Sequence, residues 1–322
     1  MTYLKLNKLT LFFIYVLTLT NLYSQRNTLF VIHTNNTNGA LENCYCPDNP
    51  FGSMEKRSIY VRDFIEKNPN TILLDAGDFV TTSQQVLKDS LIAEAYGLLP
   101  YDAILYGDQE LALDARTLNR LRGQLGTTLV GTNIDRSDFF TSKIIRRKGL
   151  RVAVMGIMDP YAIQFYPEEI KKRIRLSDPI ESVKKEMKKL SSKADIFILL
   201  THQGFDLDQK LAKKIDGLDL IIGSHSQTKI ESPKEVNDAL IVQAGKGSYL
   251  RYKENIYQRM KGDTNQLEEA LANADAFIRL KSKVYKRCIL SCILKATETY
   301  LRKSFPVGVA FADAAAGRAG ND

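Results

Sequence analysis

An α/β layered fold follows from two features of this sequence. Short apolar runs alternate with helical stretches throughout residues 28–245, the pattern of strands joined by crossover helices. The runs are near-continuous rather than alternating, as in Thr71-Ile-Leu-Leu74 and Leu150-Arg-Val-Ala-Val-Met-Gly-Ile157, which suits strands covered on both faces. A third feature concerns function. Several runs end in ligand-type side chains, and ligands of open α/β sheets bind beyond the carboxyl ends of the strands.

Composition sets the outer limits. The chain has 322 residues, 44% hydrophobic and 25% charged, enough for one large α/β domain or two smaller ones. The formal net charge is +8. Its cations sit mostly in helical stretches such as Glu181-Ser-Val-Lys-Lys-Glu-Met-Lys-Lys189, which read as solvated faces. A basic surface attracts anionic substrates. No basic-aromatic pattern specific to nucleic acid is present, which argues against that partner.

The amino terminus reads as a secretory signal over residues 1–24. Lys5 and Lys8 precede an apolar run from Thr10 to Leu22, and Tyr23-Ser24-Gln25 offers a cleavage point. The run is short for a membrane span, and no Cys follows closely enough for lipid attachment. The mature chain is therefore expected outside the cytoplasm, periplasmic or extracellular, with no stable membrane span after cleavage.

Thr28 to His33 is the first mature strand, followed by the polar loop Thr34-Asn-Asn-Thr-Asn-Gly39. Cys44 and Cys46 come next; a bridge between them would close a very small, strained ring. Cys288 and Cys292 are four apart on one face of an expected helix, where they read as small core residues. Ser53 to Glu66 is expected to be amphipathic, with Ile59, Phe64 and Ile65 inward and Lys56, Arg57 and Arg62 outward. Gln85 to Leu99 follows as a helix on the repeat of Leu87, Leu91, Ala95 and Leu98. Further strands are expected at 101–106, 129–133, 150–157, 195–200, 218–225 and 239–245, and helices at 112–121, 178–190 and 207–214. The helix at 178–190 opens on Asp178-Pro179, a cap followed by proline in the first turn. In domain terms, 25–260 forms the main unit, 261–302 a helical segment, and 303–322 a loose Ala- and Gly-rich tail.

Five strand ends present the chemistry: Asn36 with Asn38, Asp78, Asp108, His202, and His225 with Gln227. His33 also closes a strand, with only amides and hydroxyls after it, and reads as a capping or core residue. Two imidazoles and two carboxylates from separate strand ends suit one borderline divalent metal, Zn, Mn or Fe. Such an ion polarises a phosphoryl oxygen and generates hydroxide near neutral pH.

The order of motifs resembles a known family. Val31-Ile-His-Thr-Asn-Asn-Thr-Asn-Gly39, Leu74-Asp-Ala-Gly-Asp78, Gly107-Asp-Gln-Glu110, Leu200-Thr-His202 and Ile221-Ile-Gly-Ser-His-Ser-Gln227 are similar to those of the calcineurin-like metallophosphoesterases. Within them the match is to the catalytic domain of 5′-nucleotidases, over roughly residues 28–250. The resemblance implies a four-layer αββα sandwich with a two-metal site. It also implies a second, nucleoside-gripping domain, for which the residues after 250 are expected to be too few.

The departures from that pattern shape the functional expectation. The family's Asp-x-His becomes Asn36 and Asn38, its ligand Asn becomes Asp108, its catalytic His becomes Gln109, and its last His becomes Gln227. Neutral amides are poor ligands for transition metals. One metal is therefore expected at Asp78, Asp108, His202 and His225, with the second held weakly or not at all. Two readings compete: an exported hydrolase of a small phosphorylated substrate, and a non-catalytic descendant with a binding or Cys44-x-Cys46 redox role. No protein partner is legible.

Overall fold

The computed structural model describes residues 28–41, 54–245 and 277–281. Two sheets carry the fold. The first has the order β10-β1-β2-β3, with β1 Thr28–Thr34, β2 Thr71–Asp75, β3 Ala103–Ile104 and β10 Phe277–Lys281. The second has the order β4-β5-β6-β7-β9-β8, with β4 Ser142–Arg147, β5 Leu150–Met158, β6 Ile196–His202, β7 Leu220–Ile222, β8 Lys234–Val236 and β9 Ala239–Val242. Strands β1, β2 and β3 run parallel, as do β5, β6, β7 and β9; β10, β4 and β8 close the edges antiparallel. This is the expected αββα metallophosphatase-like sandwich.

The second sheet is approached closely at Gly156. A Cβ on Gly156, in β5, would lie 2.7 Å from the Val130 carbonyl and 3.1 Å from Leu105. Helices cover the outer faces. Helix α1, Met54–Lys67, sets Phe64 edge-on to Phe30 of β1, with ring centroids 5.5 Å apart. Helices α2 (Val86–Gly97) and α4 (Ala115–Leu125) pack on each other, and between them lies the single turn α3, Asp108–Leu111. On the second sheet, α6 (Pro179–Leu190) packs against β5 and α7 (Phe205–Ala212) against β9; the turn α5, Glu168–Lys171, precedes them.

Capping chemistry sets several boundaries. The Asp178 carboxylate accepts from Glu181 N at the start of α6, with Pro179 in its first turn. Helix α4 was expected over 112–121 but runs later. Asp114 accepts from Arg116 N and Thr117 N to open it, and Gly126, in the left-handed region, ends it.

Several expectations are corrected. In α1 the inward face carries Met54, Arg57, Val61 and Phe64, so Arg57 is buried (4% exposed) and Ile59 is 63% exposed. The guanidinium goes inward because hydroxyls wait for it: it donates to the Tyr96 and Tyr101 hydroxyls and to Thr37. Beside them the Asp75 carboxyl is pushed up to about 6 by burial, with the Thr34 hydroxyl, the Gly77 amide and the nearby Arg57 charge opposing. A buried charge needs such partners. In α2 the Leu87, Leu91 and Leu98 stripe faces solvent, and Asp89, Ile92, Ala93 and Tyr96 are buried instead.

The strand expected at 101–106 shortens to two residues, and 129–133 makes only the isolated bridges Ile104–Leu129 and Val130–Phe140. The charged edge strands β4 and β8 carry no apolar run long enough to be read as strands. Residues 277–281, expected within a helix, pair antiparallel with β1. The open edge of β1 supplies backbone partners that outweigh local propensity. The signal segment 1–24, Cys44, Cys46, Cys288, Cys292, the tail and the rest of 261–302 lie outside the described residues. No helix among the described residues is long and apolar enough to cross a membrane.

Candidate metal centre

The carboxyl ends of the parallel strands from both sheets bring the site together. Asp78 follows β2, Asp108 opens α3 just beyond β3, His202 ends β6, and His225 lies beyond β7. One ligand atom from each of these four side chains lies within 4.8 Å of the other three. His202 Nε2 is 2.7 Å from Asp108 Oδ1 and 3.4 Å from Asp78 Oδ1, and His225 Nδ1 is 3.0 Å from Asp108 Oδ1. The two imidazole rings meet edge-on, centroids 5.2 Å apart.

Backbone conformation at these positions is unusual. Asn36, Asn38, Asp78, His225 and Gln227 all have positive φ, between 45° and 72°. Non-glycine residues enter that region at a cost and concentrate where function requires it. The loops are fastened so that they hold it. Asn36 N donates to the Gly77 carbonyl at 2.9 Å and Asn38 N to the Asp78 carbonyl at 2.8 Å, so the loop after β1 runs along the loop after β2. The buried Glu110 carboxylate accepts from Asp78 N, Val80 N and Gly107 N at 2.9, 2.9 and 2.7 Å. It thereby ties the Asp78 loop to α3. Gly107 must be glycine, because a Cβ there would sit 2.2 Å from Asp78 Oδ1 and 2.6 Å from His202 Cε1.

The donor set fits a divalent cation. His202 Nδ1 lies 3.0 Å from the Ala76 carbonyl, which only accepts, so this nitrogen carries the proton and Nε2 faces the cluster. That is how histidine ligands are oriented in metal sites. Ligands of a zinc-sized ion lie roughly 3.4 Å apart when each is about 2.1 Å from it; the separations here are 2.7, 3.0 and 3.4 Å, with all four ligand atoms inside 4.8 Å. Two buried carboxylates facing one point repel unless something positive joins them. Burial disfavours a charged His202, yet Asp78 and Asp108 outweigh it and hold its pKa well above the ordinary range. Burial also opposes charge on Asp108, and the two histidines hold its pKa below the ordinary range. Burial, then Asp78, pushes Glu110 up to about 8. The cluster is electrostatically built to receive positive charge.

Each carboxylate offers one oxygen to the cluster and commits the other elsewhere. Asp78 Oδ2 accepts from Asn36 Nδ2 at 3.0 Å and Gln109 Nε2 at 3.1 Å. Gln109 Nε2 also reaches Asn38 Oδ1 at 2.8 Å. Asn36 Oδ1 accepts in turn from Asn35 Nδ2, Ser224 Oγ and His225 N. Asn36, Asn38 and Gln109 therefore meet as a hydrogen-bonded amide seal beside Asp78. Gln227 is half-buried, and among the described residues its side chain makes no hydrogen bond to the cluster. His33 is buried in β1 and is not part of the four-residue cluster.

Sequence reading missed Tyr166, whose hydroxyl donates to Asp108 Oδ2 at 2.7 Å. It sits in a loop with no apolar period, eight residues past the end of β5. The strand end at Asp159-Pro160 was the one available signal. The same loop places Tyr161 edge-on to His225, centroids 6.3 Å apart, and leaves Phe165 90% exposed.

Behind the cluster, Asp208 in α7 is fully buried and accepts from Gln203 Nε2 at 2.8 Å. Burial raises its carboxyl from 3.8 to about 7. Between those values the folded state binds a proton that the unfolded chain releases, so this group's contribution falls as pH rises through about 7. Asp208→Asn, which mimics the protonated acid, is expected to raise the melting temperature at pH 8 by several degrees and leave it nearly unchanged at pH 4. Parallel melts of both proteins across that range check this.

No family model matches the chain. It is 27% identical over 228 residues to 5′-nucleotidase of Bos taurus, an alignment covering 62% of this chain and 38% of that protein. Among solved structures, it is similar to a 5′-nucleotidase precursor from Thermus thermophilus, with a TM-score of 0.62 and 24% identity over 69% of this chain and 50% of that one. A calcineurin-like phosphoesterase from Bacillus subtilis superposes with a TM-score of 0.56 and 18% identity over 68% of this chain and 81% of that one. The chain thus spans well under half the length of the curated relative and half of the first solved structure.

Proposed function

We propose that the chain carries a 5′-nucleotidase-type metallophosphoesterase domain, a reading supported by its likeness to those proteins, and that it is an exported hydrolase of phosphate esters working with one divalent cation. The observation that carries this reading is the convergence of Asp78, Asp108, His202 and His225, from four strand ends on two sheets, within 4.8 Å. These four would hold the ion, Zn, Mn or Fe by the softness of two imidazoles and two carboxylates. When bound, such an ion polarises the phosphoryl oxygen and lowers the pKa of a water at neutral pH.

The chain's own groups do the rest. His202 is kept in one tautomer by the Ala76 carbonyl. Asp78 is fixed by the Asn36 and Gln109 amides, which also fill space beside it and supply no anionic ligand for a second ion. Gln109 donates a hydrogen bond towards the site but cannot carry a proton to a leaving oxygen. Slow turnover is the expected consequence. The name of the relatives makes a nucleoside monophosphate the first substrate to try. Export rests on Lys5, Lys8 and the Thr10–Leu22 run.

Purified protein should contain about one divalent ion per chain and release phosphate from a nucleoside monophosphate. Hydrolysis should stop on chelation and return with the metal. A chain with neither metal nor turnover overturns the proposal. The competing reading, a metal-binding descendant without activity, is favoured by Gln109 at the position of the family's catalytic histidine. Metal without turnover would select it.

A further inference from the structure

The resembled family has an amide at the position of Asp108, so this chain carries an additional negative charge there and an additional oxygen to control. Asp108 Oδ1 faces His202 Nε2 at 2.7 Å and His225 Nδ1 at 3.0 Å. A free carboxylate could rotate and present either oxygen, or both. We propose that Tyr166 is the positioning residue that prevents this: its hydroxyl holds Oδ2 at 2.7 Å and makes Asp108 a one-oxygen ligand. The inference rests on reading the four-residue cluster as a metal centre.

Three observations carry it. First, the arrangement mirrors Asp78, whose Oδ2 is likewise taken by neutral donors while Oδ1 faces the cluster. Second, the donor is neutral. A lysine or arginine would satisfy the same oxygen but repel the incoming cation, whereas a hydroxyl stabilises the anion without opposing the metal. Third, Tyr166 is itself held. Its backbone N–H donates to the Ile163 carbonyl at 3.1 Å, at the end of the short helix Pro160–Ile163, which opens on Asp159 accepting from Tyr161 N. The turn Glu168–Lys171 begins two residues after Tyr166. Groups that orient metal ligands in this way are typically worth about 10–100-fold in affinity.

The test uses the full chain, stripped of metal and titrated with Zn²⁺ against a chromophoric chelator. Co²⁺ absorption spectra report coordination, and thermal melts of the metal-free protein report folding. Tyr166→Phe is expected to bind Zn²⁺ about 10–100-fold more weakly, alter the Co²⁺ spectrum and leave the metal-free melt nearly unchanged. Equal Zn²⁺ affinity in both proteins would overturn the Tyr166 role while leaving the metal centre standing. A lowered metal-free melt with unchanged affinity would do the same, as the mark of a merely structural tyrosine. Failure of the unaltered chain to bind Zn²⁺ would remove the metal-centre reading and this inference together.

Discussion

His202→Ala is expected to abolish metal loading and phosphate-ester hydrolysis together. His202 is fully buried, its Nδ1 fixed on the Ala76 carbonyl and its Nε2 facing both carboxylates. Gly107 packs directly against the ring, so the backbone on that side offers no side chain to take its place. Removing a group that merely orients a ligand costs about 10–100-fold in affinity. Removing the ligand should cost at least that much, about a hundredfold or more, and also leaves Asp78 and Asp108 facing each other with less to balance them. Competition titration with Zn²⁺, read beside phosphate release and a thermal melt, checks this. Retained affinity in a folded variant would mean that the four side chains do not act as one centre.

A second large effect runs in the opposite direction. The combined substitution Asn36→Asp, Asn38→His, Gln109→His and Gln227→His is expected to raise the metal content from about one to about two ions per chain. It should raise kcat by about 10²–10⁴, the range for a restored general acid or base. The backbone already permits the first two changes: positions 36 and 38 have φ of 45° and 51°, and Asp and His tolerate that region better than most residues. Asn36→Asp also replaces a donor to Asp78 Oδ2 with a like charge. The metal-free variant should therefore melt lower than the parent and recover on loading, as binding to the folded state requires. Metal analysis and steady-state assays decide it. If content stays at one ion, the amide seal is not what limits the stoichiometry.

The positions most legible in the sequence were those at the ends of apolar runs. Asp78, Asp108, His202 and His225 each terminate or closely follow a strand, and parallel packing carries such ends to one edge of the sandwich. Helix faces were less legible. Leu87, Leu91 and Leu98 repeat at helical spacing yet face solvent, while Arg57 points inward. Periodicity reports that a stripe exists, not what lies opposite it. The polar contacts were hidden for the same reason. Tyr166 meets Asp108 across 58 residues of chain, and Gln109 meets Asn38 across 71.

By itself, then, the sequence determined the α/β layering, the strand ends that bear ligand-type side chains, and the neutral amides at positions 36, 38 and 227. Runs of apolar residues and side-chain chemistry are local properties, and they survive translation into structure unchanged. Only the tertiary structure decided that Asn36, Asn38 and Gln109 close into a seal on Asp78, that Tyr166 occupies the second oxygen of Asp108, and that Arg57 is buried among hydroxyls. Each of these depends on which distant donor reaches a buried acceptor first. Burial makes an unpaired polar group costly, but it does not say in advance which partner will satisfy it.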